Sequence, residues 1–448
     1  MIEIVLRWNA VVCAAWLVFA LYGVLPLAAQ PKADTANSSL LIGASMGAGT
    51  PSGVSSVRSM RMAVEEINAA GGIAGRPLRF IVHYGDAKIA ETMDNSVQTL
   101  IDSGAVCVLS GSGSSNTLRA AQIGISKGIL VMTGASSSPK ISALQDNNLV
   151  WRTIPSDAFQ AKVAAKAVIA RLQSKKSKTV GIIHIDNAYG TSLAAAFAEA
   201  FKAQGGSVVR LVSYPDVRSY DTLNFQPILE KLYAAKPDAI YLVSYNDDGA
   251  QVVKQSQPFW RNGYKPVLMG CDGNYNNDFL LAVEPEWIEG MEGFAYVHPT
   301  NYANYDKFFA AFKQYSDSST DSADLANISL ANMLDVESTN SYAATSYDAV
   351  YIFALAALRT ALAKRPLVAS EIAKEMPFVS KASKNAVAVN VGEFAKAAEL
   401  LKQGKSINYE GASGAVEFDQ RGDVTSGTYV RWRVEQGKFK EIGTVAFP

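Results

Sequence analysis

Apolar runs of strand length alternate with longer segments of helical periodicity over most of this chain. The predicted strands are residues 40–44, 78–84, 105–110, 130–133, 179–185, 207–213, 239–244, 266–270 and 293–297. The predicted helices between them include residues 57–70, 92–103, 158–171 and 193–204. Strand, helix and strand repeated in this order predict an α/β fold whose parallel sheets carry helices on both faces.

The length of 448 residues favours two or three compact units over one. Residues 317–345 interrupt the alternation of strands and helices, because they are rich in Ser, Asp and Asn and have only a weak apolar period. We interpret them as an inserted surface segment. A helical stretch at 347–363 follows, and the chain closes with a hairpin pattern whose segments are residues 414–418, a turn at 421–423, and then residues 427–434 and 439–445.

Residues 1–29 have the composition of an export signal peptide. Arg7 precedes an apolar run that extends from Ala10 to Ala29, and we expect cleavage after Ala29. The run is also long enough to span a bilayer, so an uncleaved membrane anchor is the alternative. In either case the remainder is expected outside the cytoplasm.

Composition argues against several classes of function. The 41 basic residues balance 41 acidic ones, which is unlike a nucleic-acid-binding protein. The three histidines have no metal-ligand spacing, and the glycine-rich residues 43–49 lack the Gly-Lys-Ser/Thr ending of a phosphate loop. We therefore expect no metal, no cofactor and no catalytic residues.

Two serine-rich loops follow predicted parallel strands in the first half of the chain. One is residues 111–117, Gly-Ser-Gly-Ser-Ser-Asn-Thr, which opens a helix, and the other is residues 133–139. Free backbone amides, hydroxyls and the helix dipole favour an anion at such a position. An ordinary serine N-cap is the alternative interpretation. Ligands bind where neighbouring strands of an open α/β sheet end, so both loops are candidates for one site.

Three loops at strand ends in the second half combine tyrosine with aspartate. They are residues 186–190, 245–248 and 271–275. An aspartate there can pair with an ammonium group, and tyrosines can enclose a side chain. Turn chemistry for Asp272-Gly273, with surface tyrosines elsewhere, is the competing interpretation.

Several segments together carry a family resemblance. The most specific is residues 63–78, Ala-Val-Glu-Glu-Ile-Asn-Ala-Ala-Gly-Gly-Ile-Ala-Gly-Arg-Pro-Leu. Further matches are residues 42–44, 186–190, 290–293 and 414–423. In this order and spacing they resemble the branched-chain amino-acid binding family of type I periplasmic binding proteins, the solute receptors of ABC importers.

The resemblance implies two doubly wound parallel-sheet lobes joined by a three-stranded hinge. The N-terminal lobe would comprise residues 38–153 plus 299–426, including the 317–345 insertion. The C-terminal lobe would comprise residues 154–298 plus 427–448. A ligand that contacts both lobes would stabilise the closed form.

The resemblance also assigns roles to particular residues. The Ser114 hydroxyl, with the backbone amides of Ala135 and Ser137, would hold the carboxylate of the ligand. Tyr189 and Tyr245 would be the aromatic residues of the opposite lobe.

Asp272 would pair with the ligand ammonium group. The implied function is a monomeric periplasmic protein that binds an amino acid, with branched-chain amino acids favoured, and delivers it to an ABC permease.

Departures from the family pattern keep other functions open. The first loop offers only residues 51–53, Pro-Ser-Gly, where the family often has an aromatic, so the pocket wall is expected to be thinner. Lys88 and Gly113 stand where some members have a cysteine pair. A sensor of the same fold, a binder of an aromatic acid or amide, and a small-molecule enzyme are the alternatives.

Overall fold

The computed structural model describes residues 39–48, 51–315 and 337–447. The predicted signal peptide at 1–29 and residues 317–336 of the predicted insertion lie outside the described residues. Within the described ranges, no helix combines the length and the apolarity needed to cross a bilayer.

The first sheet is five-stranded and entirely parallel, in the order β2-β1-β3-β4-β5. Its strands are β1 Leu40–Gly47, β2 Leu78–Gly85, β3 Cys107–Ser110, β4 Leu130–Thr133 and β5 Val150–Arg152. The helices that alternate with them are α1 Pro51–Ala69, α2 Ala90–Asp102, α3 Ser114–Lys127 and α4 Pro139–Ser142. Every residue of β1, β3, β4 and β5 is buried, as expected of parallel strands covered on both faces.

The second sheet has seven strands in the order β14-β13-β10-β9-β8-β6-β7. Its strands are β6 Thr179–Asp186, β7 Ser207–Pro215, β8 Ala239–Val243, β9 Val267–Met269, β10 Glu292–Val297, β13 Gly427–Glu435 and β14 Lys438–Phe447. Strands β13 and β14 form an antiparallel hairpin, and β13 is also antiparallel to β10. The helices of this region are α5 Asp157–Arg171, α6 Ala188–Ala203, α7 Gln226–Tyr233, α8 Asn246–Ser256, α9 Asn277–Leu281 and α10 Pro285–Ile288.

The chain between β10 and β13 returns to the first sheet region. Its elements are α11 Ala303–Gln314, α12 Glu337–Leu362, α13 Ala369–Ala373, β11 Val387–Val389, α14 Phe394–Lys402 and β12 Ile407–Tyr409. Apolar side chains of α12 belong to one buried core with those of β1 and α1, whereas β6, β8 and α6 build a separate core. The polypeptide therefore passes between the two sheet regions three times, after β5, after β10 and before β13.

Helix α12 corrects part of the predicted surface insertion. The helix includes residues 337–345, and the side chains of Ser341 and Thr345 are buried. The Thr345 hydroxyl donates a hydrogen bond to the carbonyl of Gly134 at 2.6 Å. The interpretation of these residues as surface was wrong, because the polar side chains pack against a loop of the first sheet that is distant in sequence.

The α/β fold with parallel sheets is confirmed, and the nine predicted strands lie within a few residues of β1 to β4 and β6 to β10. Strands β5, β11 and β12 were not predicted. Each has only three residues, which is too short to show a period. Helix α6 begins at Ala188, five residues before the predicted helix at 193–204, because Asn187 caps it by accepting a hydrogen bond from the amide of Gly190.

A buried ion pair joins two of the three crossings. Arg152, at the end of β5, is 0% exposed and its Nε donates to Asp423 Oδ1 at 2.6 Å. Its guanidinium also donates to Asp423 Oδ2 at 2.9 Å, to the Ser142 hydroxyl at 2.6 Å and to the Ser138 carbonyl at 3.0 Å. A guanidinium removed from water is tolerated only when its donors are satisfied in this way.

Replacement of Asp423 with Ala is expected to lower the free energy of unfolding by about 3–5 kcal/mol, because Arg152 would remain buried without its counter-charge. Urea unfolding of the purified protein measures the change. Asp94→Ala is the control, since the Asp94–Arg119 pair is well exposed and is expected to contribute less than about 1 kcal/mol. Equal losses in the two variants would contradict the assignment.

Candidate functional site

The first wall of the site is built where β3 and β4 end. Gly113 precedes α3 with φ of +85°, a conformation that glycine adopts without steric cost. The buried Ser114 then begins the helix, and its hydroxyl accepts a hydrogen bond from the Ser138 amide at 3.3 Å. The amide of Ala135 is bonded to the Thr133 hydroxyl at 3.2 Å. Hydroxyls and helix-start amides thus face one edge of the first sheet.

The opposite wall comes from loops that follow strands of the second sheet. Tyr189 lies in the first turn of α6, and its hydroxyl donates to Asp272 Oδ1 at 2.6 Å. The rings of Tyr189 and Tyr245 are stacked, with centroids 5.1 Å apart. The three predicted residues of this wall therefore form one contiguous group.

Two adjoining cavities lie between these walls. The inner cavity has a volume of about 200 Å³, and Ala135, Tyr245 and Asp272 are among its lining residues. The outer cavity has a volume of about 470 Å³, and Ser114 contributes to its wall. Of the six residues predicted from sequence, these four line a cavity.

Ser137 and Tyr189 lie behind the cavity walls. Tyr189 is buried and reaches the site through its hydrogen bond to Asp272. The Ser137 carbonyl accepts a hydrogen bond from the amide of Asp157 at 2.8 Å. Both residues therefore support groups of the site in this structure.

Sequence reasoning missed a second aspartate, which lies behind the half-buried Asp272. Asp157, the first residue of α5, is 0% exposed, and its Oδ2 has no hydrogen-bond partner among the described residues. The side-chain amide of Gln160 donates to Asp157 Oδ1 at 3.5 Å, and the Gln160 Oε1 accepts from the Asp272 amide at 3.2 Å. Gln160 therefore bridges the two aspartates. In the sequence, Ser156 and Asp157 look like an ordinary helix start, so no signal indicated this role.

Burial raises the pKa of both aspartates. For Asp157, the neighbouring charge of Asp272 raises the pKa further, while the Ser137 hydroxyl and Arg152 oppose the shift. For Asp272, burial outweighs the hydrogen bonds from Tyr189 and Gln160, which lower its pKa. The common cause is the loss of water around charges of the same sign. The pair is therefore a site of concentrated negative charge that a cation would stabilise.

An aromatic wall also comes from residues not predicted. Tyr342 of α12 lines the inner cavity, together with Tyr275 and Tyr296. Tyr342 falls in the segment interpreted as a surface insertion, which hid its role. The wall was expected to be thin near residues 51–53. Those residues begin α1, and Tyr342 supplies an aromatic side chain from a different element.

Two ion pairs of opposite polarity connect the two sheet regions near the outer cavity. Lys88 pairs with Asp216, and Arg218 pairs with Asp86. Lys88 and Asp86 follow β2, whereas Asp216 and Arg218 follow β7. Asp216 also accepts from the Tyr220 hydroxyl at 2.9 Å. These contacts hold the walls together at one side of the cavities.

Comparison with known proteins identifies the family. Residues 56–436 match the family described as the receptor family ligand binding region. That match extends over most of the chain. This chain belongs to the receptor family ligand binding region.

Curated relatives and solved structures are similar to this family member. The Leu/Ile/Val-binding protein of Escherichia coli (strain K12) is 29% identical over 265 residues, which are 58% of this chain and 67% of the relative. The crystal structure of a leucine binding protein, LivK, from Thermotoga maritima MSB8 has a TM-score of 0.66 at 19% identity, and covers 91% of this chain and 98% of that chain.

A second solved structure binds a different ligand. The solute binding protein of an ABC transporter from R. palustris, in complex with benzoate, has a TM-score of 0.64 at 16% identity and covers 91% of this chain and 97% of that chain. At these identities the structural likeness concerns the fold alone. The fold of this member of the receptor family ligand binding region is that of type I periplasmic solute-binding proteins, as expected.

The described cysteines and two of the histidines of this family member lie in or next to strands of the two sheets. Cys107 and Cys271 are buried free thiols. His83 lies in β2 and His184 in β6, and His184 Nδ1 contacts the Ile185 carbonyl at 2.9 Å. None of the three histidines of the chain lines either cavity.

Asp157→Asn is expected to raise the free energy of unfolding of the ligand-free protein, because it removes a buried charge whose Oδ2 lacks a partner. The folded-state pKa of Asp157 is raised, so the folded protein binds this proton more tightly than the unfolded chain does. Lowering the pH from neutrality therefore stabilises the wild type through this group. The advantage of the variant should be largest at neutral pH and should shrink as the pH falls.

Urea unfolding at several pH values measures this difference. Asp102→Asn, at an exposed residue, is the control and should change little. A variant that is less stable than the wild type at neutral pH would contradict the assignment.

Proposed function

We propose that this chain is the solute-binding protein of an ABC importer and binds an amino acid between its two sheet regions. The observation that carries the proposal is the charge distribution across the inner cavity. The Ser56 hydroxyl and the Gly113 backbone lie on one wall, with Ser114 beside them in the outer cavity, and Asp272 lies on the opposite wall with the fully buried Asp157 behind it. A zwitterion is the small molecule whose two charges fit both walls.

The carboxylate of the ligand would bind at the first wall. The Ser114 oxygen already accepts the Ser138 amide, so its own proton is available to a ligand. The N-terminal end of α3 and the backbone amide of Ser137 would add donors and a favourable dipole, whereas the Ala135 amide already donates to the Thr133 hydroxyl. The relatives named for leucine, isoleucine and valine support an α-amino acid as the ligand class.

The ammonium group of the ligand would bind at the second wall. Asp272 would be its main partner, oriented by the Tyr189 hydroxyl at 2.6 Å. Asp157, buried behind Asp272 and bridged to it by Gln160, would add negative charge to this wall without contacting the ligand. Burial is the main cause that raises the pKa of both aspartates, and a bound cation would compensate their charge. Tyr245 would pack on the ligand from the same side.

Ligand binding would favour closure of two lobes, residues 38–153 plus 299–426 and residues 154–298 plus 427–448. The crossings after β5, after β10 and before β13 would form the hinge. Because carboxylate and ammonium bind to different lobes, the ligand has higher affinity for the closed form than for the open form. A permease that contacts both lobes could then distinguish occupied from empty protein. We propose export to the periplasm through residues 1–29 and action as a monomer.

An anionic aromatic acid fits the site less well than an amino acid. Benzoate occupies a protein of this fold from R. palustris. In this chain, a benzoate would place its charge near two buried carboxylates without an ammonium group to neutralise them. The names of the relatives, all binding proteins for amino acids, also favour a transport protein over a sensor.

Binding without turnover is part of the proposal. No histidine lines the cavities, and the Ser114 hydroxyl is bonded to a backbone amide. A serine nucleophile needs an adjacent base, and the described residues around Ser114 do not supply one.

Asp272→Ala is expected to weaken amino-acid binding by about 2 kcal/mol or more, because the ligand ammonium would lose one partner of a buried charge pair. Calorimetric titration of the purified protein with a panel of amino acids measures the affinity. Asp102→Asn serves as the control at an exposed residue and should bind as the wild type does. Unchanged affinity in Asp272→Ala would remove the ammonium assignment.

Replacement of both Lys88 and Arg218 with Ala is expected to weaken binding by about 1 kcal/mol, because the closed form loses two exposed ion pairs between the lobes. The loss should be smaller at 1 M NaCl, where such pairs are screened. A double Ala variant at the exposed Lys202 and Arg261 removes the same charge away from the cavities. Equal weakening in both double variants would contradict a role for these pairs in closure.

A further inference from the structure

The inner and outer cavities share part of their lining. Gly113, Tyr245, Asn246 and Asn276 belong to the walls of both. A Cβ atom on Gly113 would lie 3.7 Å from the Tyr245 hydroxyl, so the two lobes approach closely at this junction. The outer cavity, at about 470 Å³, is more than twice as large as the inner one, at about 200 Å³. A ligand bound in the inner cavity therefore has space beside it for a long substituent.

The lining of both cavities is poorly suited to a branched aliphatic side chain. No Val, Leu, Ile, Met, Phe or Trp side chain of the described residues lines either cavity. The outer wall consists mainly of serine, asparagine and aspartate, with Ala87 as its one alanine. Burial of an aliphatic side chain stabilises a complex through apolar contact, and it leaves polar wall groups without partners. The outer wall carries many polar groups, and its apolar contact comes from Ala87, Tyr220 and Tyr245 and not from aliphatic side chains.

The charge of the outer wall is negative. Four aspartates line the outer cavity, Asp216, Asp247, Asp248 and Asp278, whereas Lys88 is its one lysine. Lys88 is already paired with Asp216. Asp248 accepts from the Tyr214 hydroxyl at 2.6 Å and from the Tyr245 amide at 3.0 Å. These two acidic groups are therefore satisfied within the protein.

Asp247 and Asp278 differ from the other two aspartates. Asp247 lies in α8 and Asp278 in α9, and both line the outer cavity. Within the described part of the chain, their carboxylates have no hydrogen-bond or ion-pair partner. The Ser112 hydroxyl, which lines the same cavity, is buried and also lacks a hydrogen-bond partner there. Acceptors thus exceed donors on this wall, and a ligand that supplies donors and a positive charge complements it.

We propose that the outer cavity binds the long, positively charged side chain of the amino acid whose zwitterionic end occupies the inner cavity. The ligand class is therefore a basic amino acid, with an ammonium or guanidinium head near Asp247 and Asp278. The inference rests on the proposed function, because it takes the inner cavity as the site of the α-amino and α-carboxylate groups. The proposed ligand class differs from the amino acids named for the relatives, because the residues that line the outer cavity are mainly polar and acidic.

Calorimetric titration of the ligand-free protein with L-arginine, L-citrulline and L-leucine tests the proposal. Citrulline has nearly the shape of arginine but no side-chain charge, so it separates charge from length. Arginine is expected to bind at least tenfold more tightly than citrulline and than leucine. The preference over citrulline should shrink in 0.5 M NaCl, because an exposed carboxylate is screened.

The double variant Asp247→Asn/Asp278→Asn removes the two unpartnered charges and keeps the side-chain size. Its preference for arginine over citrulline should fall at least fivefold. Asp102→Asn/Glu230→Gln makes the same change in net charge at exposed residues away from the cavities, and it should retain the preference. An equal fall in both double variants would overturn the assignment to Asp247 and Asp278.

The outcomes separate the two proposals. If leucine binds more tightly than arginine, or citrulline as tightly as arginine, the outer cavity is not a site for a cationic side chain, although amino-acid binding stands. If none of the three binds, and no other amino acid raises the melting temperature, the proposed function fails and this inference fails with it.

Discussion

The arrangement of both lobes around the site depends on one buried guanidinium. Arg152 ends β5 immediately before the first crossing, and its partner Asp423 lies immediately before the third. The same guanidinium donates to the Ser138 carbonyl. Ser138 in turn donates its amide to the Ser114 hydroxyl and its hydroxyl to the Ala188 carbonyl of the second sheet region. Because a buried charge needs all its partners in place, the position of the crossings and the shape of the anion-binding wall are specified together.

The Asp157–Asp272 pair has the opposite energetic character. It combines burial, like charge and an oxygen without a partner, and each of these features destabilises the ligand-free protein. Functional sites commonly retain such unfavourable groups where a ligand neutralises them. The Arg152–Asp423 pair is fully hydrogen-bonded, whereas the Asp157–Asp272 pair leaves one carboxylate oxygen without a partner among the described residues.

Sequence predicted the architecture well because alternation of strands and helices is a local property. The signature at residues 63–78 has a local explanation as well, since the Asn68 side chain exchanges two hydrogen bonds with the backbone of Leu78. It identifies a turn between α1 and β2, whose residues line neither cavity. The loops with Ser114 and Asp272 were predicted because parallel strands end at a common edge. Asp157 and Tyr342 were missed because their roles arise from contacts with residues far away in sequence.

The two ion pairs at the cavity edge have a consequence for how the lobes meet. One lobe presents Asp86 and Lys88, and the other presents Arg218 and Asp216, so opposite charges match in a single alignment. A sideways rotation of one lobe by the spacing of these groups would bring Lys88 towards Arg218 in one direction, or Asp86 towards Asp216 in the other. Attraction would then become repulsion in either direction. The charge pattern consequently favours one relative rotation of the two lobes, and it does so whether or not a molecule lies between them.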